Sequence, residues 1–281
     1  MTVDYPNIVP ENNLRLPDAL AVRHGPAPLL SRFILEADKA AREVGIHLRL
    51  RTDFDALNAL NRAQVALGNW FPLIDTFKPE RSGISAANGF WLSGENDDGE
   101  IVCTSAARIY NWPDTNLEEQ AVAMWYGRDE GQPVVVSTGV AKTISGVVQN
   151  MGSAWVRPDY RSRGLSHLLP RISRAYGVSR WPVDWVIAYV RKQHVDNGTA
   201  FGYGAAHFSH GIEYPREPYG AMTLCYTSTE EAYDDLDNYL TTELFNWGVK
   251  FAARSGTSLA AAQEVMSNFP EGMRQGSSRR S

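Results

Sequence analysis

The stretch Gly152-Ser153-Ala154-Trp155-Val156-Arg157-Pro158-Asp159-Tyr160-Arg161-Ser162-Arg163-Gly164-Leu165-Ser166-His167-Leu168-Leu169 decides how the rest of this chain is read. Ala154, Trp155 and Val156 suit a strand, and Pro158, which lacks a backbone N–H, ends its pairing. Gly164 has no Cβ and lets the backbone come close to a ligand. From there Leu165, Leu168, Leu169 and Ile172 recur at the one-face spacing of a helix. Strand, tight basic turn and helix start therefore follow one another. The first N–H groups of a helix have no partner within it and carry the positive end of its dipole. With the fixed charges of Arg161 and Arg163 added, the segment predicts an anion site suited to a phosphate or pyrophosphate.

Working outward, residues 1–27 show no period and read as an extended arm on the surface. A helix is predicted over 27–44, a half-buried strand over 46–51, and a helix capped by Thr52 or Asp53 running towards Leu67. Residues 69–88, with Trp70, Phe71 and Phe77, read as irregular. The runs 90–93 and 100–106 flank Asp98-Gly99 as a hairpin. A short helix over 117–126, a brief strand at 134–137 and a longer strand over 144–156 lead into the turn. The helix 165–176 is followed by residues 183–190, an apolar run of strand length that reads as buried on both faces and parallel to the strand before it. A short glycine-broken segment (197–206), a hairpin (207–214 with 221–227) and a helix (230–247) come next. Beyond Pro270 the composition is that of a disordered tail. No internal repeat is present. The order of elements gives an α/β (α+β) chain in three parts: arm and helix 1–45, a central domain 46–227, and a C-terminal helix and tail 228–281.

The chain has 281 residues, 43% hydrophobic and 11% aromatic, enough for a sizeable core. No run approaches the roughly 18 apolar residues of a membrane span, no signal segment opens the chain, and two cysteines give no disulfide framework. A cytoplasmic location and no membrane partner are expected. A formal net charge of −5 argues against a nucleic-acid partner. Between Arg157 and Lys192, however, seven arginines and one lysine face two acids, an island suited to a discrete phosphate-bearing ligand.

The Arg-x-x-Gly-x-Ser run Arg161–Ser166, with its Val-x-Pro-Asp-Tyr-Arg lead-in Val156–Arg161, resembles the GCN5-related N-acetyltransferase family. That family grips a pyrophosphate with Arg/Gln-x-x-Gly-x-Gly/Ala between a strand and a helix. Downstream, Asn197, Ala200, Tyr203 and Phe208 resemble its second motif, with one residue missing and His207 in a glycine place. The resemblance spans residues 46–227. It implies a mixed, mostly antiparallel sheet with two splayed parallel strands, flanked by helices, and acetyl-CoA or another acyl-CoA as co-substrate. The gap would lie at the ends of Ser153–Arg157 and Trp185–Val190. Trp155, Val156, Arg157, Arg161, Ser162, Arg163, Gly164, Leu165, Ser166 and Asn197 become the implied cofactor contacts, and no metal is implied. The acceptor would be a small-molecule or peptide amine, and self-association into a homodimer stays open. An amine attacks the thioester directly. At a pKa near 10.4 only about one amine in two thousand is neutral at pH 7, roughly 4–5 kcal/mol for a base or a desolvated site to offset. Tyr203 is the implied proton donor to the leaving thiolate. The glutamate many relatives keep on the strand before the turn is absent from residues 144–157; Glu213, Asp184 or a water chain are the candidate bases.

Other patterns favour structure. His207 and His210, three apart on a strand, face opposite sides and do not share a metal. Cys103 sits in an alternating strand as a core residue. Gly164-Leu165-Ser166-His167-Leu168 lacks the second glycine of a hydrolase elbow. The expected activity is therefore N-acyl transfer. The rival is a non-catalytic acyl-CoA-binding or regulatory module on the same fold, and a third reading is a phosphoanion-binding enzyme unrelated to coenzyme A.

Overall fold

Strands that are apolar on both faces need a sheet covered on both sides. The computed structural model, which describes residues 12–126, 135–214 and 219–244, contains such a sheet. Its nine strands are β1 (Leu14–Arg15), β2 (His47–Arg51), β3 (Gly89–Glu95), β4 (Ile101–Trp112), β5 (Val135–Val136), β6 (Gly146–Val156), β7 (Trp185–Arg191), β8 (His207–Tyr214) and β9 (Gly220–Ser228). They lie in the order β1-β2-β3-β4-β6-β7-β9-β8-β5. Only β6 and β7 run parallel; every other neighbouring pair is antiparallel.

Among the described residues seven α-helices accompany the strands: α1 (Ala27–Glu43), α2 (Phe54–Ala66), α3 (Pro79–Ser82), α4 (Leu117–Tyr126), α5 (Leu165–Arg180), α6 (Lys192–Asp196) and α7 (Thr229–Thr242). Alternation along each strand sorts them. Met151 and Val186 face one way and pack with Leu30 and Phe33 of α1, Leu168 and Ile172 of α5, and Leu236 and Leu240 of α7. Val148 and Ile187 face the other way, onto Leu117, Met124 and Trp125 of α4. Phe54 and Leu57 of α2 close that second face over Trp91 and Ala106. Each such fully buried side chain contributes about 1.5–3 kcal/mol. None of the helices is long and apolar enough to cross a membrane, among the described residues.

The caps follow the sequence. Asp53 accepts from the Ala56 N–H at 3.0 Å to start α2. Ser228 and Glu231 form a reciprocal capping box at α7. Two features differ from the expected outline. The arm is not a surface strap where it is described: β1 adds an edge strand to β2, and Leu16 is fully buried, its N–H on the Leu48 carbonyl at 3.1 Å. The helix expected to stop at Tyr176 runs through Gly177 to Arg180. There Gln149 crosses from β6 to donate to the Ser173 carbonyl at 2.9 Å, and a Cβ on residue 177 would lie 2.1 Å from its Oε1. The glycine is needed for contact and does not end the helix. Gly177→Ala should therefore destabilise by roughly 1–3 kcal/mol through overpacking, despite the higher helix propensity of alanine; chemical denaturation reads this directly. The expected tail after Pro270, the end of the last helix at 245–247, the turn at 215–218, position 134 and residues 1–11 lie outside the described residues.

Candidate functional site

The parallel pair is short. Val148, Gln149, Asn150 and Met151 pair with Trp185, Val186, Ile187 and Ala188, and the pairing ends there. Beyond that vertex β6 continues along β4 and β7 continues along β9. The cause is local to β6. Thr104 of β4 lies opposite Trp155 and Ala106 opposite Gly152, so one extra residue is absorbed between them. Ser153 takes φ +51°, and its carbonyl accepts from the Thr104 hydroxyl at 2.8 Å. Such a bulge bends its strand and raises the twist. The facing edges of the two arms thus present backbone groups that an extended ligand can pair with.

The β6 arm runs into the predicted turn. Pro158–Tyr160 forms one 3-10 turn, Ser162 takes φ +64°, and Gly164 takes φ +78° as the N-cap of α5 with no side chain to cap it. The first N–H groups of α5 are thereby left to a ligand or solvent. Leu165 anchors the turn in the core while Ser166 stands exposed on its outer side.

The basic island does not converge on this turn, contrary to expectation. Arg157 grips Asp159 through two hydrogen bonds (2.8 and 2.9 Å) and Glu100 through a third (2.9 Å). Those bonds hold the Asp159 and Glu100 carboxyls below their ordinary range. Arg163 stacks on Tyr160 at 4.2 Å and donates to the Val44 carbonyl at 3.1 Å. Arg171 and Arg174 pair with Asp235 of α7. Arg180 lies over Trp181 and Arg191 over Phe71. Arg161 remains exposed beside the turn, with its Nε on the Val156 carbonyl at 3.3 Å. A stretch of sequence rich in arginine thus serves several separate places in the fold.

On the α5 face, Tyr203 ends a 3-10 segment (Thr199–Tyr203). Its hydroxyl is pushed above its ordinary range by burial and by the neighbouring Cys225 thiol. Cys225 lies opposite Ala188, the last β7 residue of the parallel pair, so Tyr203 stands near the vertex. Two arginines fix it there: Arg174 donates to the Tyr203 carbonyl (3.2 Å) and Arg171 to that of Gly202 (2.7 Å). Asn197 closes α6, and its Oδ1 accepts from the Thr199 N–H at 3.1 Å. Glu213 is elsewhere. It lies exposed on β8 opposite Ala221, four residues along β9 from Cys225, or about 13 Å at strand rise. The fold does not bring it together with Tyr203. Asp184 accepts from the Val147 N–H at 2.7 Å at the closed end of the pair. His207 and His210 have separate partners, Glu231 (2.6 Å) and Thr223 (2.9 Å). Both thiols, Cys103 and Cys225, are buried and pushed up to about 12 by that burial.

Several groups on the two arms and on α6 carried no sequence motif. Trp70 stacks on Trp155 of the β6 arm (5.1 Å, 15°), while its neighbour Phe71 lies under the Arg191 guanidinium of the β7 arm at 4.3 Å. Adjacent residues of one irregular segment therefore reach both arms on the face away from α5. Their signal was present: two aromatics side by side in a segment with no period. His194 of α6 is half-buried, its Nδ1 has no partner, and burial with the nearby Arg191 charge pushes its pKa down. Tyr189, on β7 just past the pairing, packs edge-on to Trp125 at 5.0 Å, and burial raises its pKa well above the usual tyrosine range.

No family model and no curated protein matches the chain. Among solved structures it is similar to an uncharacterized protein from Bacillus halodurans (14% identity, 74% of this chain and 94% of that one, TM-score 0.40). It is also similar to NAA60 from Arabidopsis thaliana in complex with acetyl-CoA (13%, 65% and 99%, TM-score 0.39). A third is spermidine N-acetyltransferase from Vibrio cholerae in complex with CoA and spermine (12%, 66% and 97%, TM-score 0.38). The strand order, the single parallel pair among the described residues, which parts at its end, and the Arg-x-x-Gly-x-Ser turn opening α5 are the features that the resemblance to the GCN5-related N-acetyltransferase family implies.

Proposed function

We propose that the protein is an N-acyltransferase that moves an acetyl group from acetyl-CoA to an amine by direct attack. The observation that carries this is the parting of β6 and β7 at the head of an uncapped helix, an opening that suits an extended pantetheine ending in a pyrophosphate. The diphosphate rests on backbone N–H groups from Ser162 to Ser166, with Arg161 beside it. The free edge of Gly152–Val156 pairs with the pantetheine amides. The amine nitrogen attacks the thioester carbon, the C–S bond breaks, and Tyr203 gives its proton to the departing sulfur. The proton lost by the amine passes to water.

The test is release of free thiol from acetyl-CoA in the presence of a panel of amines. Tyr203→Phe should lower kcat by about 100-fold while leaving the Kd for coenzyme A unchanged. With saturating substrates, kcat should show no loss from neutral pH to beyond pH 10, because burial keeps the Tyr203 hydroxyl protonated. Coenzyme A bound tightly, no thiol released by any amine and an indifferent Tyr203→Phe variant would favour the non-catalytic binding module.

A further inference from the structure

On the sheet face away from α5, beside the vertex, a cavity of about 280 Å³ opens among Arg81, Ser82, Arg108, Tyr110, Gln120 and Met124. Taking about 30 Å³ per water molecule, it has room for roughly nine non-hydrogen atoms. Its position follows from the register. Arg108 of β4 is opposite Asn150 of β6, which is opposite Ile187 of β7, one residue short of where the parallel pair parts. Arg108 is therefore one strand spacing, ~5 Å, across the sheet from β6 near the parting of the pair, while Tyr110, also lining the cavity, is level with Val148 at its closed end.

Ser82, Gln120 and Arg81 have protein partners, but the buried Arg108 Nε and Tyr110 hydroxyl do not. Arg108 donates to the Ser82 carbonyl at 2.8 Å and to that of Thr76 at 3.4 Å, while its buried Nε has no hydrogen-bond partner. Among the described residues no carboxylate lies within ion-pair distance of it. The nearby Asp75 carboxylate is taken by Lys78 (2.8 Å) and Arg81 (3.4 Å). Asn150, on the same sheet face opposite Arg108 but not itself lining the cavity, is 0% exposed, and neither its amide nitrogen nor its oxygen has a partner. The Tyr110 hydroxyl lies beside Thr76 and Arg108 without a well-aligned bond to either. Buried polar groups left this way are costly unless a ligand or water completes them. The guanidinium fork is the donor shaped for a carboxylate.

We propose that this cavity is the acceptor site and that it takes an amine carrying a carboxylate, an amino acid of up to about ten non-hydrogen atoms, with Arg108 holding the carboxylate. This rests on the acyltransfer reading above and narrows its acceptor. The acidic balance of the whole chain suggests a cationic acceptor; the local charge around Arg108 says the opposite.

The experiment compares alanine, valine and leucine with ethylamine, 2-methylpropylamine and 3-methylbutylamine, the same amines without the carboxylate, with spermidine alongside. For the best pair the amino acid should exceed its partner in kcat/KM by about 100-fold or more, as a site built around a polar group demands. Arg108→Gln should collapse that ratio towards one with the Kd for acetyl-CoA unchanged. Arg108→Lys, which keeps the charge without the fork, should lower it at least about tenfold, and serves if the glutamine variant fails to fold. Thiol release with no preference for the carboxylate, a preference for spermidine, or a ratio that survives both variants overturns the proposal while the acyltransfer reading stands. Failure to bind acetyl-CoA would instead sink the acyltransfer reading. Should no amine turn over, calorimetry of the three amino acids with the CoA-loaded protein decides: Arg108-dependent binding supports the proposal and no binding overturns it.

Discussion

Asp235→Asn is expected to cost about 3 kcal/mol of stability and to lower Tm by roughly 6–12 °C. Asp235 on α7 accepts from Arg171 through both oxygens at 2.9 Å and from Arg174 at 2.8 Å. The two guanidinium side chains are 8% and 1% exposed, against 22% for the carboxylate. Burial already depresses the Arg174 pKa to about 10 against the counteracting charge of Asp235. An amide at position 235 keeps the shape and removes the charge, so two buried cations lose their shared counterion. The usual cost of breaking a buried pair is about 3–5 kcal/mol, and the residual exposure of Asp235 places this one at the lower end. The same arginines hold the Gly202 and Tyr203 carbonyls, so kcat should fall further than Tm alone explains, with coenzyme A affinity little changed. A variant that keeps its full Tm would mean that α7 is not pinned through this cluster.

That cluster also marks where sequence reading stopped being informative. Helix α5 was legible from Leu165, Leu168, Leu169 and Ile172, because an apolar period of 3.6 residues places every one of them on a single helical face and scatters them across both faces of a strand. The run 183–190 was legible as a parallel strand because only a strand covered on both faces can be apolar throughout. The turn ahead of α5 was legible from Pro158 and Gly164. The arginines between Arg157 and Arg191 were misleading as a group. Whether each meets a ligand or a carboxylate depends on Glu100, Val44 and Asp235, which are remote in sequence and reach them only through the fold. The divergence of β6 and β7 depends on a bulge at Ser153, which no residue type announces. The cavity beside Arg108 needs the register that sets it against Asn150, and a single-residue slip would turn every one of those side chains to the other face.

Ser166→Glu should weaken coenzyme A binding by about 100-fold or more (roughly 2.7 kcal/mol) while leaving Tm unchanged or slightly raised. Ser166 is the second residue of α5, exposed, at a helix start that lacks a side-chain cap. A glutamate there is favourable for the helix itself, by about 0.3–1 kcal/mol, because it meets the positive end of the dipole. It also occupies with negative charge the place proposed for the diphosphate. Two like charges ~5 Å apart at an effective dielectric of ~20 repel by about 3 kcal/mol. Exposure and salt reduce that figure, so the loss should shrink as ionic strength rises. Ser166→Ala, equally small and uncharged, is the control and should hold affinity within about threefold. The opposite signs on stability and binding are the discriminating feature, since a change that merely damaged the fold would lower both. Unaltered coenzyme A affinity in the glutamate variant would show that the turn from Arg161 to Ser166 is not where the pyrophosphate sits. A thermal shift produced by another nucleotide, and not by coenzyme A, would then favour a phosphoanion-binding enzyme unrelated to coenzyme A.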